Sequence, residues 1–164
     1  MACRGVHFAL DQQDLTRLLN ASTDEERLSI VQEEIEQRWN ADHLCETDKA
    51  WDAIHRCLTN GTLRSEDSSR PLDLCILGGQ SLYSKDNYII RLIHADEVSH
   101  VAQALQRVDD EFMRRRYYKI DPQDYGFPLT EDDCEYTLAY FAGLKSFFRK
   151  AAADGRAVIF TVDQ

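Results

Sequence analysis

The 164-residue chain carries 29 Asp+Glu against 19 Lys+Arg, a formal charge of -10 at pH 7, with 43% hydrophobic and 29% charged residues. That balance excludes a disordered tail and leaves enough apolar side chains for one core, so a single domain over residues 1–164 is expected. The negative charge repels phosphate backbones, and no apolar run approaches the roughly 18 residues of a membrane helix, so neither nucleic acid nor membrane is an expected partner.

The opening Met1-Ala2-Cys3-Arg4-Gly5 lacks the apolar stretch of a secretory signal, and the 5 cysteines are scattered without a C-x-x-C pair. Both features lead to the expectation of a cytoplasmic protein with free thiols.

Val6, Phe8 and Leu10 alternate with His7 and Ala9, which predicts a half-buried strand. Asp11 then caps a short helix with Leu15, Leu18 and Leu19 on one face. Thr23 and Glu26 have the spacing of a capping box, and the helix they open places Leu28, Val31, Ile35 and Trp39 inward. Thr47 reads as the cap of a third helix with Trp51, Ile54 and Leu58 buried, stopped by Asn60-Gly61. Residues 59–71 are polar and turn-rich, an exposed loop.

The apolar run Leu72–Leu77 and the β-forming run Tyr88–Ile93 predict two strands. Asp96 caps a helix carrying Val98, Val101, Ala102, Leu105 and Val108, and a second helical piece covers about Asp109 to Tyr118. Thr130 begins the longest helix, with Cys134, Leu138, Phe141 and Phe148 inward, and Ala157–Val162 is a closing strand. This order predicts an α+β fold, a small mixed β-sheet covered by several amphipathic helices.

Asp48, Asp52 and His55 fall at i, i+4 and i+7 beside the Trp51 stripe, so two carboxylates flank one imidazole on the predicted helix. One reading makes Asp52 and His55 catalytic candidates, the imidazole being a general acid or base whose pKa the neighbouring carboxylates raise, with Trp51 as the wall of a ligand cleft. The plainer reading makes His55 a half-buried histidine that anchors its helix through Asp52. Gly78 and Gly79, followed by Ser81 and Tyr83, begin like a nucleophile elbow but place Tyr83 where the tight turn needs glycine. A backbone anion cradle there is the alternative to an ordinary turn. His43 with Cys45 and His55 with Cys57 lack zinc-ligand spacing, and His55 and Cys57 point about 200° apart on a helix, so no metal and no cofactor are expected.

Arg114, Arg115 and Arg116 follow Asp110 and Glu111 at the spacing of intrahelical ion pairs, which predicts a solvated face rather than a nucleic-acid surface. Asp121, Asp124, Glu131, Asp132, Asp133 and Glu135 are read as capping residues. Between Asp24 and Asp52, however, ten acids face only Arg27, Arg38 and Lys49, which suggests a basic protein partner met through Glu33, Glu34, Glu36 and Asp42.

Several segments in the same order resemble the YfbM-like family of bacterial proteins, a domain of unknown function (DUF1877). They are Met1-Ala2-Cys3-Arg4-Gly5-Val6-His7-Phe8, Lys49-Ala50-Trp51-Asp52-Ala53-Ile54-His55, Leu77-Gly78-Gly79 with Leu82, Glu97-Val98 with Ala104-Leu105, Tyr125-Gly126, and Gly155-Arg156-Ala157-Val158. The resemblance spans essentially the whole chain and implies an α+β domain, with no catalytic residue to carry over. The preferred expectation is a noncatalytic binding or regulatory protein, toxin neutralisation being its concrete form. The rival is a small-molecule hydrolase or ligand-binding enzyme near Trp51, Asp52 and His55.

Overall fold

The first strand, β1 (Gly5–Leu10), forms where the period-two pattern predicts it, but both of its faces are covered. His7, expected on the open face, is fully buried against the rings of Phe147, Phe148 and Phe160, and its Nε2 lies 2.7 Å from the Cys75 carbonyl. The computed structural model that shows this describes residues 3–64 and 70–163, so the centre of the polar segment 59–71 lies outside the described residues.

Helix α1 (Gln12–Asn20) is capped by Asp11, whose side chain accepts from the Asp14 N–H, as predicted. Helix α2 (Asp24–Ser29) is capped by Thr23. The Glu26 carboxylate reaches the Ser22 N–H at 2.8 Å, one residue earlier than a capping box requires. The chain then continues through a wide π-helical turn, Ile30–Ile35, into α3 (Glu36–Arg38) and stops at Trp39 in the left-handed region (φ 41). That turn shifts the apolar register, so Val31 and Ile35 are buried while Trp39, expected inward, stays 45% exposed with its edge on Phe8.

Strand β2 (Leu44–Asp48) replaces the predicted cap at Thr47, because pairing with β1 overrides the local signal. Thr47 is buried and donates its hydroxyl to the Gly5 carbonyl at 3.1 Å. Helix α4 (Trp51–Leu58) follows directly. The apolar run at Leu72 forms a 3-10 turn, Leu72–Cys75, not a strand. Leu74, Cys75 and Ile76 are buried in the same apolar cluster as residues of α4 and of α5 (Ala95–Leu105), a case in which a short apolar run does not reveal its period.

The strand β3 (Gln80–Lys85) begins only after Gly79 and pairs with β4 (Tyr88–Ile93). Helix α5 is capped by His94 rather than Asp96, with the Glu97 carboxylate returning to the His94 N–H at 3.0 Å. Then come α6 (Asp110–Tyr117), α7 (Pro122–Tyr125), α8 (Glu131–Ala153) and β5 (Ala157–Asp163).

The strands form one sheet in the order β2-β1-β5-β4-β3, antiparallel at every pairing, so the fold is α+β while the sheet is not mixed. Residues from α4, α5, α6 and α8 cover one face with Ala9, Val158, Phe160 and Val162. Leu18, Ile30, Val31 and Ile35 cover the other with Phe8, Leu10, Ile90, Leu92 and Ile159. This double covering explains why β5 is apolar at nearly every position.

Candidate functional site

Gly5 sets the geometry at the start of β1. A Cβ there would lie 2.7 Å from Thr47 Oγ1, 2.8 Å from the Phe160 ring and 2.9 Å from Trp51 Cδ1, so only glycine lets the first residues pass this close to α4. The Trp51 indole N–H then donates to the Cys3 carbonyl at 3.0 Å. These contacts fix one wall of a cleft of about 530 Å³ lined by Cys3, Asp48, Lys49, Trp51, Asp52, Tyr125, Phe127, Asp133 and Tyr136.

Asp48 turns the chain from β2 toward α4 in the left-handed region (φ 43), which a short polar side chain tolerates better than most. Its carboxylate accepts from the Tyr136 hydroxyl at 2.7 Å and from Arg4 at 3.4 Å. One α4 turn on, Asp52 accepts from Arg56 Nε at 2.5 Å, and the same guanidinium pairs with Asp124 and lies 5.7 Å over the Tyr125 ring. Arg56 is only 3% exposed and also donates to the Gly61 and Asp124 carbonyls.

Asp133, in the first turn of α8, is held differently. The Tyr117 and Tyr125 hydroxyls donate to it at 2.6 and 3.0 Å, and it pairs with no cation among the described residues. Phe127 packs edge-on against Tyr125 with ring centres 5.5 Å apart and is itself 65% exposed. Burial raises the Asp52 pKa and the Asp124 and Asp133 charges add to that, while Arg56 opposes it.

Trp51 and Asp52 line this cleft, and His55 is not among its lining residues. The predicted pairing of His55 with Asp52 is absent, because Asp52 turns to Arg56 instead. Both ring nitrogens of His55 are buried without a hydrogen-bond partner among the described residues. Burial, with Arg56 nearby, lowers its pKa to about 4, opposite to the rise expected from flanking carboxylates.

Gly78 and Gly79 serve close packing. A Cβ on Gly78 would lie 2.5 Å from the Asp73 carbonyl oxygen and one on Gly79 2.6 Å from that of Leu92, and the Gly78 N–H is already donated to Asp73. Ser81 is exposed on β3, and Tyr83 is buried there with its hydroxyl toward Asp86, so neither joins the cleft.

The expected acidic face divides. Glu34 forms a bidentate pair with Arg17, and Glu36 accepts from the Tyr88 and Thr161 hydroxyls beside the sheet. Glu33 accepts from Ser29, and Asp42 is exposed. Arg114 pairs with Glu131 and Glu135 across to α8 rather than within its own helix. Arg116 donates to the Cys57 and Thr59 carbonyls.

No group of three His, Cys, Asp or Glu side chains among the described residues is arranged to hold a metal ion. Burial pushes the Cys45 thiol up to about 11 and Cys57 up to about 12, so both are protonated near neutrality. No helix among the described residues is long and apolar enough to cross a membrane.

Sequence reasoning missed Tyr125, Phe127, Asp133 and Tyr136 as partners of Trp51 and Asp52, since they lie more than seventy positions downstream. The one local signal was the exposed aromatic Phe127 just after the Gly126 turn.

A five-stranded antiparallel sheet between helical layers, with a cleft at one end of α4, defines an α+β protein. The profile of the domain of unknown function DUF1877 matches residues 1–161, and the chain belongs to that family. The crystal structure of YfbM from Escherichia coli, a protein of unknown function, has the same fold. The TM-score is 0.62 at 20% identity, with 99% of each chain covered. No curated protein matches the chain.

Proposed function

We propose that this chain is a noncatalytic binding protein whose cleft between α4 and α8 receives a positively charged group of a partner protein. The observation that carries the reading is the cleft's composition: Asp48, Asp52 and Asp133 against the single Lys49, set among Trp51, Tyr125, Phe127 and Tyr136. Aromatic faces and carboxylates both attract cations, and desolvation in a cleft strengthens both effects.

Arg56 is shared by Asp52 and Asp124, and among the described residues the Asp133 carboxylate is met only by neutral hydroxyls, which leaves negative charge there to be matched from outside. Asp48 and Asp52 are the last two acids of the Asp24–Asp52 segment, so the charge excess seen in the sequence reaches this cleft. A regulatory or toxin-neutralising role is one in which such a partner is masked.

The test titrates a synthetic peptide rich in Lys, Arg and Ser, about 20 residues long, into the protein at low and high salt. The expected result is binding that weakens with salt, as screening of partly exposed charges requires. It should also weaken in Asp133→Asn and persist in Glu33→Lys with Asp42→Lys. Binding lost in the double lysine variant but kept in Asp133→Asn moves the interface to the acidic helix face. Absence of binding at either salt removes the proposal.

A further inference from the structure

We infer that the group seated in the cleft is the guanidinium of an arginine side chain, presented by an exposed basic segment of the partner; this rests on the cleft being the binding site. Two carboxylate oxygens decide the chemistry. Asp52 gives Oδ1 to Arg56, and its Oδ2 carries no hydrogen bond among the described residues. Asp133 gives Oδ2 to both tyrosines, and its Oδ1 carries none. Asp48, by contrast, has both oxygens engaged, by Arg4 and by Tyr136.

A ligand that pairs with Asp52 and Asp133 together must present donors to two separate carboxylates. A guanidinium has five N–H donors in a rigid fork, whereas an ammonium is a compact and more strongly hydrated point charge. The walls make the same choice. Phe127 is 65% exposed at the mouth and set edge-on to Tyr125, which leaves ring surface on which a planar cation can stack. Arg56 demonstrates the arrangement on the buried side, where one guanidinium pairs with Asp52 and Asp124 and lies over Tyr125. A cleft of about 530 Å³ is larger than one side chain, so flanking backbone fits as well.

The experiment follows backbone amide shifts of the nitrogen-15-labelled protein while three pentapeptides are added, identical except for a central arginine, lysine or citrulline. Citrulline keeps the shape of arginine and removes its charge. The arginine peptide should shift amides around Asp52, Phe127 and Asp133 saturably, with lysine and citrulline about tenfold weaker or more. Phe127→Ala, at an exposed position, should weaken the arginine peptide several-fold without changing the melting temperature. Asp52→Asn tests the charge, and its melting temperature shows whether the fold survives the altered Arg56 pair.

Equal binding of lysine and arginine overturns the arginine inference and leaves the cleft as a general cation site. If no pentapeptide shifts the cleft amides while the longer basic peptide still does, the arginine anchor is overturned and the binding site stands. If neither reaches the cleft, both readings fall.

Discussion

Asp52 is the residue on which the electrostatics of the cleft turn. Its pKa stands above the ordinary carboxylate value because burial penalises the charged form and Asp124 and Asp133 add like charge. An incoming cation favours the ionised form and so pulls that pKa back down. Binding therefore releases protons, and affinity rises as pH climbs through the raised pKa, levelling off once Asp52 is ionised in the free protein. Titration of the arginine peptide should give binding that weakens as the pH is lowered from neutrality into the range where Asp52 takes up a proton, with the dependence flattened in Asp52→Asn. A pH-independent affinity in the parent protein contradicts this account of Asp52.

The entry to β1 couples an element boundary to the site. Gly5 has no room for a methyl group, since Thr47, the Phe160 ring and Trp51 all come within 3 Å of where it would lie. Gly5→Ala therefore overpacks the junction of β1, β2 and α4, and the expected loss is about 1 to 3 kcal/mol. Chemical denaturation measures that loss. Because Trp51 is one of the three neighbours, the substitution should also alter the cleft amides in the same spectra. A variant of unchanged stability and unchanged spectra shows that the junction yields more readily than its contacts imply. At the far side of the cleft, α8 presents Asp133 because Thr130 caps the helix and accepts from the Asp133 N–H at 3.1 Å. One capping geometry thus both starts the helix and aims the carboxylate.

At the scale of the whole molecule, His7 on β1 and His55 on α4 are both fully buried. His7 and His55 each have a pKa lowered from 6.5 to about 4, chiefly by burial. Above pH 6.5 they are neutral in folded and unfolded chains alike and cost nothing. Between 6.5 and 4 the unfolded chain takes up protons that the folded chain refuses, so stability falls with pH, and below 4 their contribution is constant. Each shift corresponds to about 3 kcal/mol, so the pair makes the fold acid-labile. His55→Leu should remove about half of the histidine contribution to that decline, read as unfolding free energy against pH. An unchanged slope in the variant means that His55 titrates alike in the folded and unfolded chains.

Local patterns were enough for the helices whose caps and stripes agree, such as α1 after Asp11 and α8 after Thr130, and for the apolar strand β5. They also put Trp51 and Asp52 on one helix, α4. Only the tertiary structure decided that Thr47 lies in a strand, because β2 exists through its pairing with β1. Only it decided that the sheet is antiparallel throughout and covered on both faces, since strand order depends on how distant segments meet. For the same reason His55 lost its predicted carboxylate to Arg56, and Asp133 gained a role beyond capping. Helical periodicity sets the side of a helix on which a residue lies, whereas the partner it meets there comes from elsewhere in the chain.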